Sequence, residues 1–328
     1  MLFLAQADVQ RLLDTDRLIE ALVPAMAELS AGRVSMPARI GAEVPGAKGV
    51  LGVMPVYLPS AASLVTKLVS VFPKNAGGPH PTHQALIAVF DAETGAPLAV
   101  MDGTLITAAR TAAGSALATR WLARPDAGVL AIVGTGVQAR AHARAIPRVR
   151  PIRRVRVAGR DEREVARLAE ELREELRLPI EAAKTIRAGI AGADIICATT
   201  HSPEPVIRGE WLEPGVHVNS VGFNPEGREV DAETVQKAVV VVESRQAALA
   251  PYPSGANDLI WPIRDGLITA AHIHAEIGEI VSGTRPGRSS REEITLYKSV
   301  GVAVQDAVAA GLVLEAARKQ KTGQEIEL

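Results

Sequence analysis

Two glycines, Gly134 and Gly136, follow the apolar run Val129–Val133 in a G-x-G-x-x-A pattern that Ala139 completes. The first glycine permits a tight turn, the second lets the backbone approach a pyrophosphate, and the small third residue allows close helix–strand contact. The N-terminus of the following helix offers N–H groups to phosphates. An ordinary glycine turn is the alternative, but the flanking strand and helix favour a dinucleotide site. The residues predicted to contact the nucleotide there are Gly134, Thr135, Gly136, Val137 and Gln138.

The end of the second predicted strand, about 20 residues further on, distinguishes NAD from NADP. A carboxylate there binds the ribose hydroxyls of NAD, whereas here Ala158 or Gly159 takes the position. Arg160 follows, and its guanidinium could accept the 2′-phosphate of NADP and stack on adenine. Asp161 is predicted to cap the next helix, with adenosine contact as its alternative role. We predict cofactor contacts for Gly159 and Arg160, and NADP as the preferred cofactor with NAD as the alternative.

Strands and helices alternate after residue 128. An uninterrupted apolar strand such as Val129–Val133 is typical of a parallel sheet that is buried on both faces. Helices predicted near 162–176, 231–237 and 245–249 would supply the crossovers. The further predicted strands are Val155–Val157, Ile195–Ala198, Val216–Val221 and Ala238–Val242. This pattern predicts a Rossmann-type doubly wound parallel sheet.

The chain before residue 120 has short β-rich runs among Pro and Gly turns instead. The segment Asp91–Gly95 is typical of a hairpin connection, which predicts an antiparallel sheet. The predicted strands of this sheet are Ser63–Ser70, Ala85–Phe90 and Pro97–Met101. The Ala-rich stretch Thr107–Arg120 predicts a helix, and another is predicted around 293–318.

A chain of 328 residues exceeds what one hydrophobic core usually serves. We therefore predict an α/β protein in which the Rossmann-type sheet is joined by a second, α+β domain. The α+β domain is expected to span residues 1–120 with a C-terminal helix at about 305–328, and the Rossmann domain residues 121–304.

Charge and composition exclude several kinds of partner. The 36 basic and 37 acidic residues leave no net field for nucleic acid or an anionic membrane, so a small-molecule partner is expected. No apolar stretch approaches the ~20 residues that span a bilayer, and the first residues do not resemble a signal peptide, so we expect a soluble, cytoplasmic protein. The single cysteine, Cys197, is predicted to be a small core residue. The histidine pairs at 80/83 and 272/274 lack a third ligand, and no metal is expected.

Several separate motifs together resemble the ornithine cyclodeaminase/mu-crystallin family over nearly the whole chain. These motifs are Met36–Arg39, Thr66–Phe72, Asp91–Thr104, Arg110–Ala113, Gly134–Ala139, Ala198–Thr200 and Lys298–Gly301. The family includes cyclodeaminases, alanine dehydrogenases, ketimine and pyrroline-2-carboxylate reductases, and crystallin-like binding proteins. The resemblance therefore implies an NAD(P)-dependent oxidoreductase of CH–NH or CH–NH₂ groups and leaves the reaction open.

The resemblance also implies a homodimer, with substrate residues and the dimer interface in the first domain. Arg39, Lys67 and Arg110 match the family positions that hold the substrate carboxylate. Planar guanidinium groups suit that task because they bind a carboxylate in a bidentate manner. Lys67 lies between apolar residues, where a partly desolvated lysine can transfer protons, although a surface lysine is the alternative interpretation.

The same resemblance implies further cofactor contacts on both sides of the glycine-rich motif. Thr111 would contact the cofactor phosphates, Thr199 would border the adenosine or the nicotinamide, and Ser299 and Gly301 lie in a segment near the nicotinamide. We also predict a cofactor contact for Val221. Ordinary turn residues and a plain helix N-terminus are the alternative interpretations of these positions.

One departure from the family pattern affects the reaction. Where similar cyclodeaminases carry an aspartate, this chain has Asn224, which can hydrogen-bond an imine but cannot take its proton. Asp231, seven residues further on, is predicted to cap the next helix. We therefore predict reduction of a small cyclic ketimine carboxylate or a related imine, with Lys67 and Asn224 as the catalytic residues. An ornithine-type cyclodeaminase is the nearest alternative, and a crystallin-like NADP-dependent binding protein is the alternative of another class.

Overall fold

The structure, a computed structural model, describes residues 1–327 and divides the chain into two compact units. Unit 1 comprises Met1–Arg110 together with the chain from Gly301 onward, and unit 2 comprises Thr111–Val300. The boundary expected near residue 120 lies inside one helix, Gly103–Leu122. Its Ala-rich sequence contains no proline or other break that could have marked the division at Arg110.

The secondary structure of the described residues, numbered in chain order, is as follows. The strands are β1 (Leu2–Leu4), β2 (Ile40–Val44), β3 (Gly49–Leu58), β4 (Ser63–Val71), β5 (His83–Asp91), β6 (Pro97–Asp102), β7 (Val129–Val133), β8 (Arg154–Ala158), β9 (Ile180–Ala182), β10 (Ile195–Ala198), β11 (His217–Ser220), β12 (Ala238–Val242), β13 (Ile273–Glu276), β14 (Ile294–Lys298) and β15 (Gln324–Glu325). The α-helices are α1 (Gln6–Leu12), α2 (Thr15–Ser30), α3 (Gly103–Leu122), α4 (Val137–Ala145), α5 (Glu162–Leu176), α6 (Ile186–Ile190), α7 (Ala232–Lys237), α8 (Arg245–Ala248), α9 (Asn257–Arg264), α10 (Ile277–Val281) and α11 (Ala303–Gln320).

The predicted helix around 293–318 is wrong in its first part. Residues 294–298 form β14, which pairs in parallel with β11 and β12, and the helix begins only at Ala303. The run Ile-Thr-Leu-Tyr is β-branched and aromatic, and such residues fit a buried sheet better than a helix. The helix ends at Gln320, two residues beyond the predicted 318, because Lys321 adopts a left-handed backbone conformation with φ 52°.

Unit 2 confirms the predicted Rossmann-type fold. Its eight strands run parallel in the order β13-β12-β14-β11-β10-β7-β8-β9. The chain proceeds outward from β7 through β8 to β9 and then returns to β10 on the other side of β7. The strand order therefore reverses between β7 and β10, and ligands of such sheets bind beyond the carboxyl ends of the strands at that point.

The interior of unit 2 follows from its apolar strands. Leu130 to Val133 of β7 are fully buried, as a strand covered on both faces requires. Cys197 of β10 is also fully buried, which confirms its prediction as a core residue, and burial raises the pKa of its thiol to about 12. Asp161 and Asp231 accept hydrogen bonds from the first backbone N–H groups of α5 and α7, so both are helix caps as predicted.

Unit 1 contains a seven-stranded mixed sheet in the order β15-β1-β6-β5-β4-β3-β2. Strands β2 to β6 form successive antiparallel pairs, while β1 joins β6 in parallel. Helix α11 packs against β3, β4 and α2. One face of the sheet is therefore covered, and alternate residues of each strand face the covered side.

Among residues 1–327, no helix combines the length and the apolar character that are needed to cross a membrane. Over the same residues, no three His, Cys, Asp or Glu side chains are grouped closely enough to hold a metal ion.

Candidate active site

Lys67 is buried because strand alternation directs it to the covered face of the unit 1 sheet. Along β4 the buried positions are every second residue, including Val65, Lys67 and Val69. The cross-strand partners of Lys67 are apolar, Met54 on β3 and Ile87 on β5. Only 1% of the lysine is exposed, so its ammonium needs a partner within the protein.

Asp306, in the first turn of α11, is that partner. Its Oδ2 lies 2.9 Å from Lys67 Nζ, and its Oδ1 accepts hydrogen bonds of 3.1 Å from both Lys67 Nζ and Arg110 Nε. Arg110 Nη1 also donates to Gln305 Oε1 at 2.7 Å. The four side chains are all nearly fully buried, and they form a closed charge cluster within unit 1.

Arg39 reaches the same segment of chain from the loop before β2. Its Nη2 donates a 2.9 Å hydrogen bond to the carbonyl oxygen of Gly301. Gly301 has φ +71°, and a Cβ at this position would lie 2.4 Å from Arg110 Nη1, so only glycine fits. Gly301, predicted to contact the cofactor, is placed by the structure in unit 1 with its carbonyl on Arg39.

The electrostatics of this cluster favour an anionic ligand. Burial, reinforced by the positive charge of Arg110, lowers the pKa of Lys67 to about 7, while Asp306 acts in the opposite direction. Burial raises the pKa of Asp306, but Arg110, Lys67 and Arg39 outweigh it and hold that pKa below its ordinary value. Three basic side chains thus surround one carboxylate, and a ligand carboxylate would complete the charge balance.

The glycine-rich turn of unit 2 has the geometry that its motif predicts. Gly134 has φ +118°, and a Cβ there would lie 2.7 Å from Thr199 Oγ1, so a side chain is excluded. Gly136 caps α4 without a side-chain hydrogen bond, and nothing lies within 4 Å of a Cβ built on it. The start of α4 therefore presents open space and backbone N–H groups, which fit the pyrophosphate of a dinucleotide.

Other predicted cofactor residues follow neighbouring parallel strands and so lie along one edge of the unit 2 sheet. Thr199 follows β10, Val221 follows β11 and Ser299 follows β14. The Thr199 backbone and hydroxyl both donate to the Val133 carbonyl oxygen at 2.9 Å, at the base of the glycine turn. The Ser299 hydroxyl donates to Glu243 Oε1, which fixes its orientation.

The sequence model of the ornithine cyclodeaminase/mu-crystallin family matches residues 1–321. The chain belongs to this family. The ketimine reductase mu-crystallin of Rattus norvegicus is 39% identical over 318 residues, which cover 95% of this chain and 96% of that protein.

Solved structures agree with the family assignment. The Delta(1)-pyrroline-2-carboxylate reductase of Thermococcus litoralis, in complex with NADH and L-proline, has a TM-score of 0.95 and 38% identity, and the match covers 99% of this chain and 100% of that chain. An archaeal alanine dehydrogenase dimer with bound NAD has a TM-score of 0.91 and 32% identity, with 100% and 99% covered. The resemblance and the fold class predicted from the sequence are thereby confirmed.

Within this family member, the end of β8 carries the residues predicted to select the nucleotide. Gly159 packs beside Val165 and Thr135, since a Cβ on it would lie 3.1 and 3.4 Å from their side chains. Arg160 is exposed. The Asp161 carboxylate accepts hydrogen bonds from Arg163 N and Glu164 N, and is therefore occupied as a helix cap.

Thr111 and Asn224 lie in different surroundings. Thr111 is buried within α3, with 8% of its surface exposed. The Asn224 amide donates to the His201 carbonyl oxygen at 2.9 Å and accepts from Glu226 N at 2.9 Å, so both of its polar atoms hold the loop after β11. In this conformation Asn224 acts as a loop residue, and its predicted catalytic role stays a prediction.

Two sets of contacts between buried polar residues were not predicted from the sequence. Those of Asp306 form one set, although a single acid in the apolar stretch Val302–Leu314 is a usable signal. The other is in unit 2, where Lys298 Nζ lies 2.9 Å from Asp258 Oδ2 and donates to the Gly222 carbonyl oxygen at 2.8 Å. Asp258 Oδ1 in turn accepts from the backbone N–H of Glu229.

Glu229 completes this second network. One of its carboxylate oxygens accepts from Thr200 N at 2.6 Å, and the other accepts from Gly222 N at 2.7 Å and from Ser220 Oγ at 2.8 Å. The network therefore fixes the backbone just beyond β10 and β11, along the edge where the cofactor residues lie.

The two glycines of the motif offer a matched test of nucleotide binding. The variant Gly136→Ala is expected to keep the wild-type stability, because its Cβ has space and its φ of −83° suits alanine. It should weaken NADPH binding about tenfold or more, since a methyl group there obstructs the pyrophosphate at a cost of about 1.4 kcal/mol or more. Fluorescence titration of NADPH measures the affinity, and urea unfolding measures the stability.

The variant Gly134→Ala is the counterpart, and it should lower the free energy of unfolding by about 1–3 kcal/mol through backbone strain, to which the contact of its Cβ with Thr199 adds. Wild-type NADPH affinity in Gly136→Ala would show that the pyrophosphate does not approach this turn.

Proposed function

We propose that this protein reduces small cyclic ketimine carboxylates of the pyrroline or piperideine type, with NADPH as the hydride donor. The observation that carries the proposal is the cluster of buried Lys67 and Arg110 and half-buried Arg39 around the single carboxylate of Asp306. Relatives named ketimine reductase and pyrroline-2-carboxylate reductase, the latter holding NADH and L-proline, support the same reaction.

In this proposal each residue of the cluster has a distinct task. Arg39 and Arg110 bind the substrate carboxylate, which fixes the ring so that C2 can accept hydride. The Lys67 ammonium donates a proton to the imine nitrogen, and the carbon–nitrogen double bond becomes more electrophilic. A bound nicotinamide would supply the hydride, and addition of one proton and one hydride would convert C=N to CH–NH.

The cyclodeaminase alternative requires a base near the substrate amine. The aspartate of similar cyclodeaminases is replaced by Asn224, whose amide is held by the loop after β11. Neither observation favours a step that removes a proton from an amine, so reduction remains the proposed direction.

We also propose NADP as the preferred nucleotide. Arg160 is exposed at the end of β8, where it is free of the helix-capping task that engages its neighbour Asp161. At the end of β8, the guanidinium of Arg160 can therefore bind the 2′-phosphate of NADP, because the neighbouring carboxylate is engaged as a helix cap.

A homodimer and a cytoplasmic location complete the proposal. The open face of the unit 1 sheet carries one row of apolar residues across four strands, in which Ile40, Val53, Leu68 and Leu86 are successive cross-strand partners. Ile40 and Leu86 are 66% and 50% exposed. Such a patch is typical of a protein interface, and the related archaeal alanine dehydrogenase is a dimer.

The reaction is tested by following NADPH and NADH oxidation with five- and six-membered cyclic imine carboxylates, together with ammonia release from ornithine with NAD⁺. Rapid NADPH oxidation without ammonia is the expected result. Ammonia release without net change of cofactor would replace the reductase with a cyclodeaminase, and silence in both assays would contradict both enzymes.

Lys67 should give this reduction a defined pH dependence. Because its pKa is lowered to about 7, it is protonated below that pH, and kcat/KM for reduction should fall roughly tenfold per pH unit above it. The variant Lys67→Met should lower kcat/KM by a factor of about 10² or more below pH 7, and this deficit should narrow as the pH rises above 7. Substrates of both ring sizes serve as the control, since a turning point that follows the ring belongs to the substrate and not to Lys67.

The nucleotide preference depends on Arg160. Substitution Arg160→Ala should weaken NADPH binding about tenfold, the effect of losing one charge-assisted hydrogen bond, and leave NADH binding unchanged. Arg154→Ala, at the opposite end of β8, is the matched control and should affect neither nucleotide. Equal losses for NADPH and NADH in Arg160→Ala would refute selection by this residue.

The dimer is tested by placing charges on the open sheet face. The double variant Leu68→Glu/Leu86→Glu should convert the dimer into monomers in light scattering, because a dimer would bury uncompensated carboxylates. The control is Leu267→Glu in unit 2, where the leucine is 47% exposed. A double variant that remains dimeric would locate the interface on another surface.

A further inference from the structure

The first turn of α11 and the glycine before it contact every basic residue of the candidate substrate site. The Gly301 carbonyl oxygen accepts from Arg39, Gln305 accepts from Arg110, and Asp306 accepts from both Lys67 and Arg110. These contacts come from six consecutive residues, although their partners lie far away in the sequence. A single short segment therefore orients all three basic side chains.

We propose that Asp306 is the positioning residue of the reduction, and that its carboxylate keeps Lys67 protonated and aligned beside Arg110. The inference rests on the proposed function and assigns to this acid a role that neither the motifs nor the substrate-binding residues supply.

Geometry provides the first support. Asp306 Oδ1 lies 3.1 Å from both Lys67 Nζ and Arg110 Nε, so one oxygen atom couples the two cations. The bond from Arg110 Nη1 to Gln305 adds a second fixed point and sets the plane of the guanidinium. Because the carboxylate has 0% exposure, water does not compete for these contacts.

Charge provides the second support. The charged groups that act on Lys67 are Arg110 from α3, Arg39 from the loop before β2, and Asp306 from α11. Both arginines favour loss of the lysine proton, as does burial, and only Asp306 among these groups favours its retention. Without the acid, the lysine would be neutral over most of the pH range in which it must donate a proton.

The isosteric variant Asp306→Asn removes the charge and keeps the shape. It should move the turning point of the kcat/KM profile for NADPH-dependent reduction about one pH unit or more toward acid, since an opposite charge at this range shifts a pKa by about 1–3 units. Activity at pH about 8 should fall tenfold or more and partly recover at lower pH. Asp306→Glu retains the charge and should restore the wild-type turning point.

Gln305→Glu is the companion variant of opposite sign. A carboxylate at Gln305, in contact with Arg110, offsets the positive charge that acts on Lys67, and the turning point should move toward alkali. This variant keeps the test decisive if Asp306→Asn does not fold. A profile that does not move in Gln305→Glu, or an activity loss in Asp306→Asn without any shift, would reduce Asp306 to a structural residue and overturn the proposal.

Direct titration separates this inference from the proposed function. With lysine labelled at ¹³Cε, NMR follows the eight lysines of the chain, and Lys67→Met identifies the signal of Lys67. If the protein reduces no imine but the Lys67 signal titrates at lower pH in Asp306→Asn, the proposed function fails while the control of Lys67 by Asp306 stands. If reduction occurs but neither the NMR titration of Lys67 nor the pH profile of kcat/KM changes in Asp306→Asn, the proposed function stands and the assignment of Asp306 is wrong.

Discussion

The burial of Lys67 is the constraint on which the rest of unit 1 depends. An ammonium group without access to water costs several kcal/mol unless a counter-charge with good geometry compensates it. Asp306 provides that compensation at 2.9 Å, and Arg110 shares the same carboxylate. The sheet register that directs Lys67 inward and the packing of α11 over β4 must therefore form together, because either one without the other would bury an uncompensated charge.

Unit 2 has the opposite requirement, since a phosphate site needs backbone N–H groups that no side chain caps. Asp161 and Asp231 cap the helices that follow β8 and precede β12, whereas α4 begins at Gly136 with no side-chain cap. The buried Lys298–Asp258 pair and Glu229 meanwhile anchor the backbone beyond β10 and β11. The lack of a side-chain cap, together with the open space at Gly136, makes the start of α4 suitable for phosphates.

Features of the fold and of the candidate site that depend on local sequence pattern could be predicted from the sequence. Apolar runs and the alternation of strands with helices predicted the parallel sheet of unit 2, and the family motifs together with the apolar neighbours of Lys67 drew attention to that lysine. Contacts between distant residues were not accessible in this way: Lys67 and Asp306 are 239 positions apart. β14 was mistaken for helix because a run of only five residues has no clear period, and pairing with two neighbouring strands decides its conformation.

The charges that bind the substrate also prepare it for reduction in the proposed reaction. Before a carboxylate arrives, burial and the excess positive charge of the cluster keep the pKa of Lys67 near 7. An incoming carboxylate adds an opposite charge, and an opposite charge nearby raises the pKa of a lysine. Lys67 therefore becomes a more fully protonated donor at the moment when an imine is present to receive the proton. Substrate recognition and proton supply thus depend on one electrostatic balance, in which Asp306 provides the negative charge that is present before the substrate binds.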